Sequence, residues 1–170
     1  MEFVRILILL GGYPKFASQG FSDDWFPVWM QNAGYNTYYV GKLMNSHSVD
    51  SYNHPFVKGF NGSDFLLDPY TYSYYNSTYQ RNHEPPKSYQ GRYTTDVTNE
   101  KALGFLNDAL KSDQPFFLTA APIAPHGNID PSSLAGTTKM TDPVPEPKYR
   151  HLFQDVNLPR TPNFNPVNVS

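Results

Sequence analysis

Two basic residues stand where a sheet would present them to a ligand, and both have side chains that can do chemistry. Lys42 follows a strand-like run and one glycine, and His126 follows a second apolar run by five residues. An ammonium group is a fixed positive charge, whereas an imidazolium supplies both charge and a proton. The pair is therefore half of a candidate anion site. The alternative, from the residue types alone, is a solvated surface lysine and a histidine that bonds within its loop.

Periodicity predicts the elements that position Lys42. Between Asp23 and Ala33 apolar side chains recur at helical spacing, and Gly34 stands where a helix C-cap is needed. The next run, Tyr35–Val40, is rich in aromatic and β-branched residues and stops at Gly41, as a short strand would. We therefore expect a helix over residues 23–33 and a strand that ends just before Lys42.

A second helix and strand are predicted ahead of His126. Capping residues at Thr94–Val97 precede a pattern that places three leucines on one helix face, namely Leu103, Leu106 and Leu110. The residues beside that face are Ala102, Phe105 and Ala109. The segment Pro115–Ala121 is mostly apolar and has the length of a buried parallel strand.

The order helix, strand, excursion, helix, strand predicts an α/β sheet. Residues 45–93 are the excursion, which is rich in tyrosine, lacks a sustained period and is interpreted as structured. The tail after residue 130 is rich in proline and asparagine and reads as a loop cut off within a domain. Ligands of such sheets bind beyond the carboxyl ends of the strands, where Lys42 and His126 both fall.

Composition excludes several classes of function. With 13 basic against 15 acidic residues the formal charge is -2, which gives no basic field for nucleic acid or an anionic membrane. The absence of cysteine excludes disulfides, thiolate metal sites and thiol nucleophiles. The apolar stretch in residues 1–10 is too short to span a bilayer and has no cleavage site after it, so it reads as a poor signal peptide.

Three tripeptides fit the acceptor pattern for N-glycosylation, and they begin at Asn61, Asn76 and Asn168. They matter only if the chain enters the secretory route. Chance occurrence in a sequence rich in asparagine and serine explains them equally well.

The residues around the two basic side chains resemble the sulfatase family. In residues 29–45 a helix ending in Ala-Gly-Tyr leads to a strand and then to Gly-Lys, and residues 115–126 form a Pro-Phe-Phe strand followed by Pro-His. The segments Gly59–Tyr72 and Tyr93–Val97 are similar to the branch that includes fungal arylsulfatases and N-acetylglucosamine-6-sulfatases. The resemblance runs in order from about Gly11 to about Asn165, which is far more specific than any single motif.

The resemblance implies a partial αβα sandwich of the alkaline-phosphatase and sulfatase type, truncated at both ends, over residues 11–170. It implies hydrolysis of a sulfuric ester, either an aryl sulfate or a sulfated sugar, with calcium and a formylglycine nucleophile as family cofactors. Lys42 carries over as a contact to sulfate and nucleophile, and His126 as a sulfate contact that helps to protonate the leaving oxygen. Asn45 carries over as a weaker sulfate-binding residue. By family, the location is secreted or vacuolar or lysosomal.

The chain departs from the family where the reaction is centred. It has no Cys-x-Pro-x-Arg or Ser-x-Pro-x-Arg motif, and Met44 stands where many members have histidine. The run Arg5–Leu10 meets Gly11 without the calcium-binding Asp-Asp pair, and Asp23-Asp24 is interpreted as a first-turn pair of a helix. We therefore assign no metal ligand and no formylglycine to this chain, and we expect a fragmentary product, with residues 1–10 atypical, that lacks activity.

Two other interpretations remain. A non-catalytic fragment would bind sulfate or a sulfated glycan through Lys42, His126 and the tyrosine-rich excursion. A phosphoryl hydrolase of the same superfamily would need further metal-binding aspartates and histidines.

Overall fold

The chain forms a mixed α/β structure, seen in a computed structural model that describes residues 11–131 and 139–164. The α-helices in these ranges are α1 (Gly12–Ser18), α2 (Phe26–Asn32) and α3 (Thr94–Ala109). The strands are β1 (Asn36–Lys42), β2 (Gly62–Leu66), β3 (Thr78–Arg81), β4 (Lys87–Ser88), β5 (Phe116–Ala121), β6 (Asn128–Ile129) and β7 (Met140–Thr141). Short 3-10 helices span Phe21–Asp23 and Pro147–Tyr149.

The central sheet has the strand order β4-β3-β2-β1-β5. β1 pairs in parallel with β2 and β5, which confirms the predicted parallel core, and β3 and β4 extend the sheet antiparallel. β2, β3 and β4 all come from the tyrosine-rich excursion, so its interpretation as a structured segment is confirmed. A separate antiparallel pair, β6 with β7, shows that the predicted loop after residue 130 contains a short strand.

Both faces of β1 are covered, because successive side chains of a strand point to opposite sides. Tyr39 packs in a cluster that includes Tyr13 of α1. Val40 packs on the other face with Phe105 and Ala109 of α3. The described part of the chain therefore has helices on both faces of its sheet, as the αβα sandwich implied by the family resemblance requires.

The first predicted helix, residues 23–33, is shorter in the structure because the chain turns before it. Phe21–Asp23 forms a 3-10 helix, and Trp25 is extended at the N-cap of α2. Pro27 lies in the first turn of α2, where its missing amide hydrogen breaks no helical bond. Gly34 follows the helix with a φ of +90°, which fits the predicted C-terminal glycine.

Strand β1 extends two residues beyond the predicted end at Val40. Gly41 stays in the strand with a φ of +107°, and a Cβ at this position would overlap the Ala121 carbonyl oxygen of β5. Any side chain here would therefore push β1 and β5 apart. Lys42 is the last residue of β1 and does not lie past the strand as predicted.

The predicted face of α3 is wrong, although the helix itself is confirmed. Leu103 and Leu110 are 51% and 67% exposed. The buried face is instead the series Val97, Lys101, Phe105 and Ala109, each residue one turn after the last. The prediction placed the three leucines on the buried face because the true buried series contains a lysine, Lys101, in its second position. A search for apolar residues at helical spacing does not detect such a series.

Lys101 is buried because it forms an ion pair with Asp64 in the middle of β2. Its Nζ lies 2.7 Å from Asp64 Oδ2 and also donates to the Tyr89 hydroxyl at 3.0 Å. Arg81 Nη1 lies 3.4 Å from the same carboxylate oxygen. Asp64 is fully buried, so these cations compensate a charge that water does not reach. The pair fixes the register of α3 over β2.

We expect Lys101→Met to lower the free energy of unfolding by about 3 kcal/mol, because the variant keeps the aliphatic stem but leaves a buried carboxylate without its main cation. Urea denaturation measures the change. Asp64→Asn in the same background should recover part of the loss, since no buried charge then remains. Arg92→Met, which removes an exposed pair with Glu100, is the control and should leave the midpoint nearly unchanged. Equal losses from the two single variants would contradict the assignment.

Candidate functional site

Lys42 and His126 lie at the same edge of the sheet because β1 and β5 are parallel neighbours. Lys42 ends β1 in register one residue beyond the pair Gly41 and Ala121. After β5 the chain turns, and the backbone N–H of His126 donates to Ile123 O at 2.8 Å. The structure thus places both predicted residues at the carboxyl edge of adjacent strands, with Lys42 as the last residue of β1 and His126 in the loop after β5.

Tyr72, which the sequence motifs did not indicate as a site residue, connects the two basic residues. Lys42 Nζ donates to the Tyr72 hydroxyl and lies 4.4 Å from the centre of the Tyr72 ring. The same ring stacks on the His126 imidazole, with 4.2 Å between ring centres and 30° between planes. The only sequence signal for Tyr72 was its place at the end of the family-like segment Gly59–Tyr72.

Asn45 completes the surroundings of Lys42. Its Oδ1 accepts from Lys42 Nζ at 2.5 Å and from the Tyr72 hydroxyl at 3.1 Å. Both groups around the ammonium are neutral, and within the described ranges no carboxylate pairs with Lys42. The positive charge of Lys42 is therefore oriented without being neutralised, as an anion-binding group requires.

The backbone of helix α1 contacts the backbone of Asn45. The backbone N–H of Tyr13 donates to Asn45 O at 2.8 Å. Gly12, with a φ of +70°, leaves room for this approach, since a Cβ there would collide with Asn45 O. The residue beside Lys42 is thus set by the main chain of an element earlier in the sequence.

The tyrosine-rich excursion also holds the loop that carries His126. Ile129 N donates to Tyr72 O at 2.9 Å, and Tyr74 N donates to Asn128 Oδ1 at 3.3 Å. The buried Tyr74 hydroxyl donates to His126 O at 2.8 Å. These bonds fasten residues 72–74 along residues 126–129, which explains how an exposed histidine is kept in place.

The hydrogen bond of the His126 ring defines its tautomer. Nδ1 lies 2.9 Å from the Gly127 carbonyl oxygen, and a carbonyl only accepts, so Nδ1 carries a hydrogen. Nε2 then holds the lone pair in the neutral ring and a second N–H in the imidazolium. Nε2 is therefore the ring nitrogen that this hydrogen bond leaves available to a ligand.

Comparison with known proteins identifies the family. The family model described as Sulfatase matches residues 9–157. The chain belongs to the sulfatase family. This confirms the family resemblance of the motifs around Lys42 and His126.

The sulfatase chain is similar to a fraction of each longer relative. It is 40% identical to an arylsulfatase of Volvox carteri over 162 residues, which cover 93% of this chain and 25% of the relative. It is 32% identical to an N-acetylglucosamine-6-sulfatase of Bos taurus, covering 82% of this chain and 23% of the relative. One solved structure that aligns with this chain is of a protein in complex with its substrate, D-glucosamine-2-N,6-O-disulfate. The alignment has a TM-score of 0.47 and 27% sequence identity, and it covers 59% of this chain and 18% of the other protein's chain. The chain spans about a quarter of the length of its first curated relatives.

The described residues of this sulfatase do not fit a calcium site. Residues 11–131 and 139–164 contain no cluster of three or more histidine, aspartate or glutamate side chains that could hold a metal ion. Asp23 pairs with Lys58 at 2.7 Å, and Asp24 accepts from the Trp29 indole at 2.5 Å. Both carboxylates precede α2, so their prediction as first-turn residues of that helix is wrong in position. The run Arg5–Leu10, where the family resemblance places the Asp-Asp pair, lies outside the described residues.

The glycosylation candidates remain predictions. Asn61 is exposed, but its Oδ1 accepts from Thr37 N at 2.8 Å and from Gln31 Nε2 at 3.0 Å, which ties β1 to the start of β2. Asn76 is half-buried. Asn168 lies outside the described residues. None of the helices in the described ranges combines the length and apolar character needed to cross a bilayer.

His47, two residues after Asn45, is a packing residue beneath the site. It is fully buried, stacks on Tyr13 with 4.0 Å between ring centres, and meets Phe65 edge-on at 5.0 Å. Neither ring nitrogen has a well-formed hydrogen bond within the described part of the chain. Burial lowers the pKa of His47 to about 4, and the Tyr52 backbone opposes this only in part. The ring is therefore neutral at pH 7.

We expect acid to destabilise the fold through His47. The unfolded ring, with a pKa of 6.5, binds a proton at a higher pH than the buried ring. Stability is therefore complete above pH 6.5 and is lost progressively as the pH falls toward 4. Between pH 7 and 4.5 the wild type should lose about 2.5 kcal/mol more than His47→Phe in urea denaturation. His54→Phe, at an exposed position, is the control, and equal acid sensitivity in wild type and His47→Phe would contradict the account.

Proposed function

We propose that residues 11–170 are the part of a sulfatase catalytic domain that recognises the sulfate group of an ester, through Lys42 and His126. The observation that carries the proposal is the meeting of Lys42, Asn45, Tyr72 and His126 at the carboxyl edge of β1 and β5. Sulfuric ester hydrolysis is the reaction of the domain to which this part contributes. Its substrates are aryl sulfates or sulfated sugars.

The contacts of Lys42 define how it would hold a sulfate oxygen. An ammonium group has three N–H donors, and Asn45 and Tyr72 accept two of them. The third N–H is directed away from both acceptors and is the donor for the anion. A charged donor fixed before the substrate arrives stabilises developing negative charge without further reorganisation.

His126 would act on the oxygen that leaves the sulfur. Its Nδ1–H is occupied by the Gly127 carbonyl, so Nε2 is the nitrogen that exchanges a proton. When protonated, it adds a second positive donor beside the sulfate and can deliver the hydrogen to the alcohol or phenol. In this proposal Lys42 supplies a positive charge, while His126 supplies the proton.

The nucleophile is not among these 170 residues. They contain no cysteine and no Ser-x-Pro-x-Arg motif from which a formylglycine would be made. We infer that this chain alone binds sulfate esters without hydrolysing them. Location in the secretory route, either secreted or in a vacuole or lysosome, belongs to the same proposal and is supported by the family, whose members similar to this chain include an extracellular sulfatase homologue of Drosophila melanogaster.

A second candidate is a non-catalytic binder of sulfated glycans. The retention of a positively charged site without its nucleophile favours it. Tyr72 does not offer a free face for a sugar ring, because its aromatic ring already contacts His126 and the Lys42 ammonium. This observation does not support the second candidate. Preference for a sulfated oligosaccharide over inorganic sulfate at equal sulfate concentration would favour this candidate.

We expect Lys42→Ala to weaken binding of 4-nitrophenyl sulfate by at least about tenfold, because it removes a charge-assisted hydrogen bond. His126→Ala should weaken it about three- to tenfold, because it removes the hydrogen-bonding side chain at the end of the second strand. Titrations followed by NMR or calorimetry at constant ionic strength measure both effects. Lys111→Ala is the matched control, because Lys111 follows α3 and lies before β5, at the opposite edge of the sheet. Undiminished binding in Lys42→Ala would sink the proposal.

The purified chain should release no 4-nitrophenol from 4-nitrophenyl sulfate above the buffer rate, because it lacks the nucleophile. Absorbance over several days measures the release. Turnover that disappears in Lys42→Ala would overturn the claim that the chain alone binds without hydrolysis, while supporting the sulfate site itself.

A further inference from the structure

The geometry points to Tyr72 as the positioning residue that sets Lys42 and His126 against the same sulfate group. This inference rests on the proposed function and adds a residue that neither the sequence motifs nor the family match assigns. Tyr72 contacts both basic side chains at once, one through its hydroxyl and the other through its ring.

The hydroxyl restrains the more flexible partner. A lysine side chain has four rotatable carbon bonds and loses on the order of 2 kcal/mol of rotamer entropy when it is fixed. Lys42 Nζ donates to the Tyr72 hydroxyl, which in turn donates to Asn45 Oδ1. The closed triangle of Lys42, Asn45 and Tyr72 limits the ammonium to one position. Part of the entropy that an anion would otherwise have to remove is thus already lost.

The ring restrains the other partner. His126 is exposed, and its Nδ1–H bond to Gly127 fixes only one point of the imidazole. Stacking on Tyr72 at 4.2 Å fixes the plane of the ring. A bond at Nδ1 and a plane together determine where Nε2 points. Removal of the aromatic face would therefore free Nε2 even if the hydrogen bond to Gly127 survived.

The backbone keeps Tyr72 itself in place. Its carbonyl accepts from Ile129 N at 2.9 Å, three residues after His126. The flanking residues Thr71 and Ser73 are buried, so the segment has little freedom to shift. Tyr72 is therefore tied to the His126 loop by its main chain and to the Lys42 strand by its hydroxyl.

The two functions of Tyr72 can be separated by two substitutions in the full 170-residue chain. Tyr72→Phe keeps the stacked ring and removes the hydroxyl, whereas Tyr72→Leu removes both. Tyr75→Phe is the matched control, since Tyr75 lies three residues away, is exposed and packs on Tyr93. Inorganic sulfate is the probe, with chloride at equal ionic strength as the reference. NMR follows the imidazole C–H signals of His126, and calorimetry follows affinity.

We expect Tyr72→Phe to weaken sulfate binding about three- to tenfold while the His126 C–H signals of the free protein stay near their wild-type positions. Tyr72→Leu should weaken binding at least as much and also shift those signals, because the ring current of the stacked tyrosine is lost. Tyr75→Phe should change neither. Should Tyr72→Leu fail to fold, Tyr72→Phe still decides the hydroxyl's contribution.

Wild-type affinity in both Tyr72 variants, with unmoved His126 signals, would overturn the inference and leave the proposed function intact. Absence of sulfate binding by the wild type, or undiminished binding in Lys42→Ala, would instead overturn the proposed function, and the inference with it. A shift of the His126 signals in Tyr72→Leu without loss of affinity would show a purely structural contact and would also contradict the inference.

Discussion

The parallel pairing of β1 with β5 is the constraint on which the rest of the structure depends. The strands approach so closely at Gly41 and Ala121 that no side chain fits between them. This contact brings two loops, 84 residues apart in the chain at Lys42 and His126, to the same edge of the sheet. The helices cover the two faces of that sheet. The candidate site depends on the register of β1 and β5, which brings their carboxyl ends side by side.

Two lysines of the chain have opposite surroundings, which makes Lys101 a structural residue and leaves the charge of Lys42 without a counter-charge among the described residues. Lys101 is buried beside the carboxylate of Asp64, which neutralises it. Lys42 is half-buried between the neutral oxygens of Asn45 and Tyr72, which orient it but leave its charge in place. A charge removed from water without a counter-charge is energetically costly. An anion beside the half-buried Lys42 ammonium would therefore be favoured electrostatically.

Local patterns were sufficient for the elements and for the edge at which the site lies. Short-range periodicity and the topology of α/β sheets predict the α3 helix and the strands β1 and β5. They also predict that Lys42 and His126 lie at the carboxyl edge of parallel strands. The buried face of α3 could not be predicted, because it depends on Lys101 meeting a carboxylate 37 residues earlier in the chain. Tyr72 was missed for the same reason, since its partners lie 30 residues before it and 54 after it. Apolar patterns carry no information on polar contacts at such separations.

The closed arrangement of Lys42, Tyr72 and His126 also has a consequence for the folding of the chain. The three side chains come together only when β1, the excursion and the loop after β5 have all reached their native places, so the site is among the contacts with the greatest loop entropy to overcome. An anion that binds there binds the folded ensemble alone. At a concentration equal to its dissociation constant it would add about 0.4 kcal/mol to stability, and at a hundredfold that concentration about 2.7 kcal/mol in total. Stabilisation by sulfate would thus indicate that β1, the excursion and the loop after β5 have packed together. A chain that forms these elements without packing them would not be stabilised.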